Sequence, residues 1–382
     1  PRPRKHADLV RRPLQPLPHP TLANTDSILE AVSEKDRILH FPYQSYDYVI
    51  RFLREAGEDP KTRSIWITLY RVGKDSAVVR ALIDAAKNGV QVSVFVEVKA
   101  RFDEARTLKW AGEMEGAGVR VFYSKPGIKV HAKMALVVQE GGGSLERLAY
   151  LGTGNFNEAT AGVYADHALL TADPRLTLDA EEVFNFLWEE IDAPQCEHLL
   201  VAPFSLRSGL EGLIRKEVDN AGAGLSSGLA FKMNSIEDQK MIDAVYSASR
   251  SGVRVSLIVR GICCIRPGLP GFGENVQGRS IVDRFLEHAR IYRFVNGGNP
   301  LLYLASADLM KRNLDRRIEV AFPIFDERIR EELEHFLHLQ LSDNTKARIL
   351  DQKQANNYVG RRVGEPRVQA QEGFYEWLEG LG

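Results

Sequence analysis

The sequence predicts an α/β protein made of two tandem copies of one unit, each a mixed sheet flanked by helices, facing each other across one cleft. Three observations carry this. The stretch LIDAAKNGVQVSVFVEVKAR around Gly89 returns as AVYSASRSGVRVSLIVRG around Gly252. His131-Ala132-Lys133 returns as His288-Ala289-Arg290. Tyr150-Leu151-Gly152-Thr153-Gly154-Asn155 returns as Tyr303-Leu304-Ala305-Ser306-Ala307-Asp308. The anchors Gly89/Gly252, His131/His288 and Tyr150/Tyr303 lie 163, 157 and 153 residues apart, so the copies run in register with small length changes. A duplicated unit with one histidine per copy points to two half-sites that form one catalytic centre.

Six prolines in the first twenty residues exclude a helix or central strand and predict an extended connector over residues 1–22. With no methionine at its start and no apolar h-region, this segment reads as a join to something upstream, not as a signal peptide. The first domain is expected over 23–197. Ser45 heads a helix of Tyr48, Val49, Phe52, Leu53 and Ala56, spaced three and four apart and stopped at Gly57. Strand 65–69, helix 75–88 closed by Gly89, strand 90–98 and helix 105–115 follow. Strands are expected over 119–123, 130–138 and near 148–151, with the Gly141-Gly142-Gly143 loop before the last, and a helix over 181–190 closes the domain. The second domain, 198–382, repeats the plan: strand 228–232, helix 237–250, strand 253–260. The Pro/Gly-rich stretch RPGLPGFGENVQG then predicts a functional loop. Strands near 289–295, 301–305 and 317–324 precede a helix over 326–341, a basic stretch over 358–367 and a short helix around 374–378.

At 382 residues the chain can bury two cores, and 44% hydrophobic with 26% charged residues is the composition of a globular protein. No run of 18 apolar residues is present. Three cysteines, Cys196, Cys263 and Cys264, supply neither a disulfide framework nor a CxxC zinc pair, and the adjacent two read as packed thiols at a strand end. The net charge of −1 hides an uneven distribution: Arg71, Arg101 and Arg260 each follow an apolar strand. Ligands of open α/β sheets collect at the carboxyl ends of strands, and guanidinium groups there suit a phosphate-rich ligand.

In an extended strand His131 and Lys133 share a face, because the strand period is two. An imidazole beside an ammonium is biased toward its neutral, nucleophilic form, and the ammonium can also hold a phosphoryl oxygen. Thr153 and Asn155, on the turn that follows, are placed to orient the ring or to bind the transferring group. His-x-Lys alone is a weak signal; duplicated and followed by Gly-Thr-Gly-Asn it is strong.

Two such motifs in a duplicated α/β unit resemble the phospholipase D-like fold, although Val138 and Val295 stand where that fold usually carries aspartate. The strings LYRVGKDS, VEVKARFDE, GIKVHAKMAL, YLGTGNFNE, YADHALLTAD, VRGICCIRPG, FLEHARIYRF and RNLDRRIEVAFPI resemble, more specifically, the bacterial polyphosphate kinases that work through a histidine intermediate. The likeness covers nearly all of residues 25–370 and corresponds to that family's two carboxyl-terminal domains. It implies two tandem phospholipase D-like domains and reversible transfer of the ATP γ-phosphate to inorganic polyphosphate. It makes His131 the phosphorylated residue, places Arg71 and Arg101 at a magnesium-phosphate site, and assigns ATP contacts to Tyr164, Arg260 and His288. Arginine has no acceptor for a cation, so Arg71 and Arg101 read as phosphate clamps beside a Mg²⁺ held by phosphate and water. Lys133, Asn155 and Asp166 are further candidates from the residues themselves, Lys133 and His288 joining His131 as catalytic groups. The resemblance further implies ATP or ADP and polyphosphate as partners, Mg²⁺ as cofactor, no nucleic acid, a homo-oligomer for the full-length protein, and a cytoplasmic location that extends to the inner membrane face. The alternatives are a phospholipase D-like phosphodiesterase or nuclease, against which the absent aspartates and Arg290 stand, and a polyanion-binding module with structural histidines.

Overall fold

The computed structural model describes residues 14–70, 72–73, 75–97, 104–124 and 129–381. The first unit runs α1 (Ile28–Glu34), β1 (Arg37–Phe41), α2 (Asp47–Glu58), β2 (Thr62–Leu69), α3 (Ala77–Lys87), β3 (Gln91–Val96), α4 (Glu104–Gly116), β4 (Arg120–Tyr123), β5 (Lys129–Val130), β6 (Lys133–Gly141), β7 (Ser144–Gly152), α5 (Glu158–Ala161), β8 (Tyr164–Thr171) and α6 (Pro174–Leu187). The second runs β9 (Leu200–Ala202), α7 (Leu206–Gly222), β10 (Leu229–Met233), α8 (Gln239–Arg250), β11 (Val255–Val259), β12 (Val276–Ile281), β13 (Leu286–Glu287), β14 (Arg290–Phe294), β15 (Leu301–Ala305), α9 (Lys311–Arg316), β16 (Arg317–Pro323), α10 (Glu327–Ser342), β17 (Ala347–Leu350) and α11 (Ala370–Glu379).

The first sheet is ordered β1-β8-β7-β6-β2-β3-β4; the second is ordered β17-β12-β11-β10-β14-β15-β16, with β9 beside β16. Strand for strand, β1 to β4 and β6 to β8 correspond to β9 to β12 and β14 to β16, so the duplication read from three anchors extends through the topology. β2, β3 and β4 pair in parallel, as do β10, β11 and β12, while the histidine-side strands pair antiparallel. The central parallel strands β3 and β11 read as nearly continuous apolar runs because both their faces are covered. The crossover helices start on equivalent caps: Ser76 Oγ accepts from Val79 N at the head of α3, and the Asp238 carboxylate accepts from Met241 N at the head of α8.

The helices α1 to α3 cover the outer face of the first sheet, and α7 and α8 cover that of the second. Between the sheets, α6, α10 and α11 fill a shared core with Leu136, Leu151, Ile258, Ile291, Leu304 and Phe336. The sheets are also stitched by exchange. β5 leaves the first unit to pair in parallel with β16, and β13 leaves the second to pair in parallel with β8. Each exchanged segment immediately precedes one of the two histidines. Residues 14–22, expected as connector, pack on the first unit: Leu17 N donates to Tyr43 O at 2.7 Å, and Leu22 is fully buried. Residues 1–13 lie outside the described residues. The strand expected over 130–138 is broken at His131-Ala132, where the chain passes from one sheet to the other, and the expected loop 266–278 ends in β12. Cys264 is exposed, not packed.

One buried ion pair at this junction makes a testable demand. Lys232 Nζ on β10 lies 3.0 Å from Glu287 Oε2 on β13, with both side chains almost wholly buried. Glu287→Ala would strand the ammonium in the core and is expected to cost about 3–5 kcal/mol. Denaturant unfolding would measure this loss, and a loss near zero would show that water reaches Lys232.

Candidate active site

The exchanged strands bring each histidine against a carboxylate from the other unit. His131 N and Ala132 N both donate to Ile318 O, at 2.9 and 3.0 Å, and His288 N and Ala289 N both donate to Ala165 O, at 3.1 and 2.8 Å. These paired bonds set the rings. His131 Nδ1 lies 2.9 Å from Glu319 Oε2, and His288 Nδ1 lies 2.8 Å from Asp166 Oδ2. An ionised carboxylate offers only lone pairs, so each Nδ1 carries the proton and donates it, which leaves the lone pair on Nε2.

The carboxylates are seated alike. Thr153 Oγ1 donates to Asp166 Oδ1 at 2.6 Å and accepts from His167 N at 3.0 Å. Ser306 Oγ donates to Glu319 Oε2 at 2.5 Å and accepts from Val320 N at 3.1 Å. Thr153 therefore acts through Asp166 on His288 and does not orient His131, as its place after the first motif suggested. Gly154 is required here because a Cβ would come within 2.5 Å of Asp166 Oδ2. Asn155 Oδ1 is buried with no hydrogen-bond partner among the described residues.

The surroundings of the two rings differ. Arg290 is locked by Asp308 through a fork of 3.2 and 3.1 Å, and its Nη1 donates to His288 O at 2.7 Å while lying against the His288 ring, 3.2 Å from Nε2 and 3.4 Å from Nδ1. No described residue makes a hydrogen bond to His131 Nε2; that ring meets Tyr70 edge-on at 5.0 Å. Lys133 turns its ammonium onto the His131 carbonyl and sits over the Tyr70 ring at 5.5 Å, so it braces the backbone of His131 and does not bond the imidazole. Tyr164 tilts against His288 at 5.1 Å between ring centroids. Arg260 Nε donates to Glu287 O, beside His288.

Burial decides the protonation states. It lowers His131 to about 3, outweighing Glu319, which raises it, while Lys133 and Arg317 add to the lowering. The neutral imidazole expected from the sequence is present, but desolvation is its main cause and the ammonium is secondary. Burial also pulls Lys133 well below the ordinary lysine value. For Glu319, burial alone would raise the carboxyl, but His131, Lys133 and Arg317 together hold it at about 2. His288 is lowered by burial against the pull of Asp166, with Arg290 lowering it further. Asp166 is lowered despite its burial by His288, Thr153 and Arg290.

The structure thus gathers His288, Tyr164, Arg260 and Asp166 in one cluster and His131 and Lys133 in the adjoining one, with the charge of Lys133 acting on both histidines. Arg71 and Arg101 lie outside the described residues. Glu319, Ser306, Asn313 and Arg317 were not singled out from the sequence. The repeat held the signal: Ser306 and Glu319 lie 153 residues after Thr153 and Asp166, the spacing of the Tyr150/Tyr303 anchors.

The described residues do not make a magnesium cage. No group of three or more potential ligands occurs among the described residues. Glu319 is also held by Asn313 Nδ2 at 2.6 Å, and the Asp166 and Asp308 carboxylates are taken by the bonds above. Among the described residues no helix is long and apolar enough to cross a membrane.

Comparison with known proteins places this geometry. Residues 27–193 match the family model described as polyphosphate kinase C-terminal domain 1, and residues 199–371 match C-terminal domain 2. The polyphosphate kinase of Escherichia coli K12 is 42% identical over 98% of this chain and 55% of its own length. That of Halalkalibacterium halodurans is 44% identical over 96% and 52%. The crystal structure of polyphosphate kinase from Porphyromonas gingivalis superposes with a TM-score of 0.91 at 40% identity, covering 97% of this chain and 56% of that one. Phosphatidylserine synthase from Haemophilus influenzae, at 12% identity and a TM-score of 0.54, shares the fold. The architecture is therefore two tandem phospholipase D-like domains. The chain spans about half the length of the curated relatives it matches, and it belongs to the polyphosphate kinase family through that family's two C-terminal domains.

Proposed function

We propose that the chain carries the phosphoryl-transfer centre of an ATP:polyphosphate phosphotransferase, with His131 as the residue that is transiently phosphorylated. The observation that carries this reading is the asymmetry of the two rings. Both Nδ1 atoms are tied to carboxylates, but His288 also has the Arg290 guanidinium against its ring, 3.2 Å from Nε2 and 3.4 Å from Nδ1, whereas no described residue approaches His131 Nε2 with a hydrogen bond.

In the forward direction His131 Nε2 attacks the γ-phosphorus of ATP. The N–P bond forms as the bond from that phosphorus to the β-phosphate oxygen breaks, and ADP leaves with the electron pair. The ring becomes cationic, so its Nδ1–H bond to the ionised Glu319 strengthens as the reaction proceeds. A terminal oxygen of polyphosphate then attacks the phosphohistidine, the N–P bond breaks, and the chain grows by one unit. An N–P bond retains a high transfer potential, which suits exchange between two phosphoanhydrides. Phosphoryl transfer needs positioning and charge neutralisation above all. Arg260, His288 and Arg290 supply these to the departing nucleotide phosphates, and Tyr164 supplies a face for the nucleoside. Arg71 and Arg101 serve as phosphate clamps. Mg²⁺ would arrive with the phosphates, since the described residues do not supply its ligands, and no step is assigned to it.

The test is chromatography of products from ATP and a polyphosphate primer. ADP appearing one for one with added phosphate units is expected. Release of ADP and free phosphate with no growth of the primer would show that water takes the phosphoryl group and that the chain is a hydrolase, not a transferase.

A further inference from the structure

We propose that Glu97 is a positioning residue for His131, its buried side chain gripping the backbone one residue before that histidine as Arg260 grips the backbone one residue before His288; this rests on the phosphoryl-transfer reading above. The duplication sets the correspondence. GVQVSVFVE, ending at Glu97, aligns without a gap on GVRVSLIVR, ending at Arg260, and the two ends are 163 residues apart, like Gly89 and Gly252. Val130 and Glu287, the residues before the two histidines, are 157 apart, like the histidines themselves. Glu97 and Arg260 each follow the last residue of a middle parallel strand, β3 or β11. Each reaches the exchanged strand of its own unit. Val130 N donates to Glu97 Oε2 at 3.1 Å, and Arg260 Nε donates to Glu287 O. The same grip is therefore made twice, with donor and acceptor reversed.

That reversal has a chemical direction. A guanidinium can hold the chain with one N–H and still offer others to phosphate oxygens. An acidic side chain would repel incoming phosphates, and Glu97 is turned to the chain with both oxygens: Ser124 Oγ donates to Oε1 at 3.0 Å while Val130 N donates to Oε2. The Glu97 side chain is almost wholly buried, and its backbone is fixed in turn, because Glu97 N donates to Leu69 O at 3.1 Å. The grip matters because β5 is only two residues long and His131 follows it directly. Ile318 O and Glu319 seat the His131 backbone and ring from the second unit, and Glu97 anchors the preceding residue from the first. A displacement of about 1 Å can cost a reacting group about a hundredfold in rate, so this anchor acts through the placement of His131 Nε2.

Rapid-quench labelling from γ-labelled ATP and ¹⁵N-histidine NMR of Glu97→Gln, Glu97→Asp and Glu97→Ala test this, with the His131 ring signals assigned from His131→Ala. Glutamine keeps an acceptor for Val130 N and a donor for Ser124 Oγ, so Glu97→Gln should lose no more than about threefold in labelling rate. Glu97→Ala should fall about tenfold to a hundredfold at saturating ATP, with the KM for ATP within about twofold. Its His131 ring signals should move while those of His288 stay. Glu97→Asp, which withdraws the acceptor by one methylene, should fall between the two and decides the matter if Glu97→Ala does not fold. A Glu97→Gln chain as slow as Glu97→Asp or Glu97→Ala would show that charge is needed, not the grip, and would overturn the assignment. So would unchanged labelling in Glu97→Ala, or a raised KM with unmoved His131 signals, which would place Glu97 in nucleotide binding. A parent that takes no label from ATP, with the His131 signals still moving in Glu97→Ala, would overturn the phosphoryl-transfer reading and leave the grip standing.

Discussion

His131→Ala is expected to abolish acid-labile labelling of the protein by γ-labelled ATP, while His288→Ala retains a measurable part of it. The two histidines are related by the duplication and both donate Nδ1–H to a carboxylate from the opposite unit, so pairing alone does not separate them. Their Nε2 atoms do. Arg290, fixed by its fork with Asp308 and by a bond from Nη1 to His288 O, puts a cation against the His288 ring, 3.2 Å from Nε2, whereas His131 Nε2 has no described hydrogen-bond partner. Removing the nucleophile should lower the rate of the covalent step on the order of a millionfold, below detection. Removing a group that steadies the nucleotide should slow the step and leave its site intact. Labelling that survives in His131→Ala and vanishes in His288→Ala would exchange the two roles.

The second large effect is expected at Glu319. Glu319→Gln keeps the size of the side chain but removes the charge that orients His131 Nδ1–H and stabilises the ring as the N–P bond forms. By the precedent of carboxylates that hold catalytic imidazoles, the labelling rate should fall about a hundredfold to ten-thousandfold. The sign of the pH effect separates this role from simple misfolding. Burial holds His131 at about 3, so the parent should label at an undiminished rate down to about pH 5, where an ordinary histidine near 6.5 would be mostly protonated. Glu319 is the group that raises the His131 value, so its neutralisation should move the acid limb to lower pH. Rapid quench across pH measures both. An acid limb that moves upward in Glu319→Gln would contradict the assigned electrostatics.

Much of the fold was legible because the duplication repeats its punctuation. Gly89 and Gly252 end equivalent helices, and the apolar runs after them, read as strands, pair in parallel with the strands before those helices. The site was legible as far as its first residues: His131, His288, Tyr164, Arg260 and Asp166 all reach the junction. The exchange of β5 and β13 was not. A two-residue strand leaves no periodicity, and nothing local in Lys129-Val130 says that it pairs with Arg317-Ile318, nearly two hundred residues away. Crossed pairing therefore hid Glu319, whose neighbours in sequence read only as a buried strand. α7 was missed for a different reason: its apolar positions Leu206, Leu210 and Ile214 are diluted by Gly209 and Gly212, which weaken a helical reading until packing against α8 compensates.

A carboxylate that holds the Nδ1 proton of His131, as Glu319 is placed to do, directs phosphorylation to Nε2. This is tested most directly by NMR of the phosphorylated chain, with ¹⁵N-labelled histidine to identify which ring nitrogen is bonded to phosphorus. One phosphohistidine is expected, at His131, with the N–P bond at Nε2 and the proton retained on Nδ1. Phosphate on Nδ1, or on His288, would contradict it.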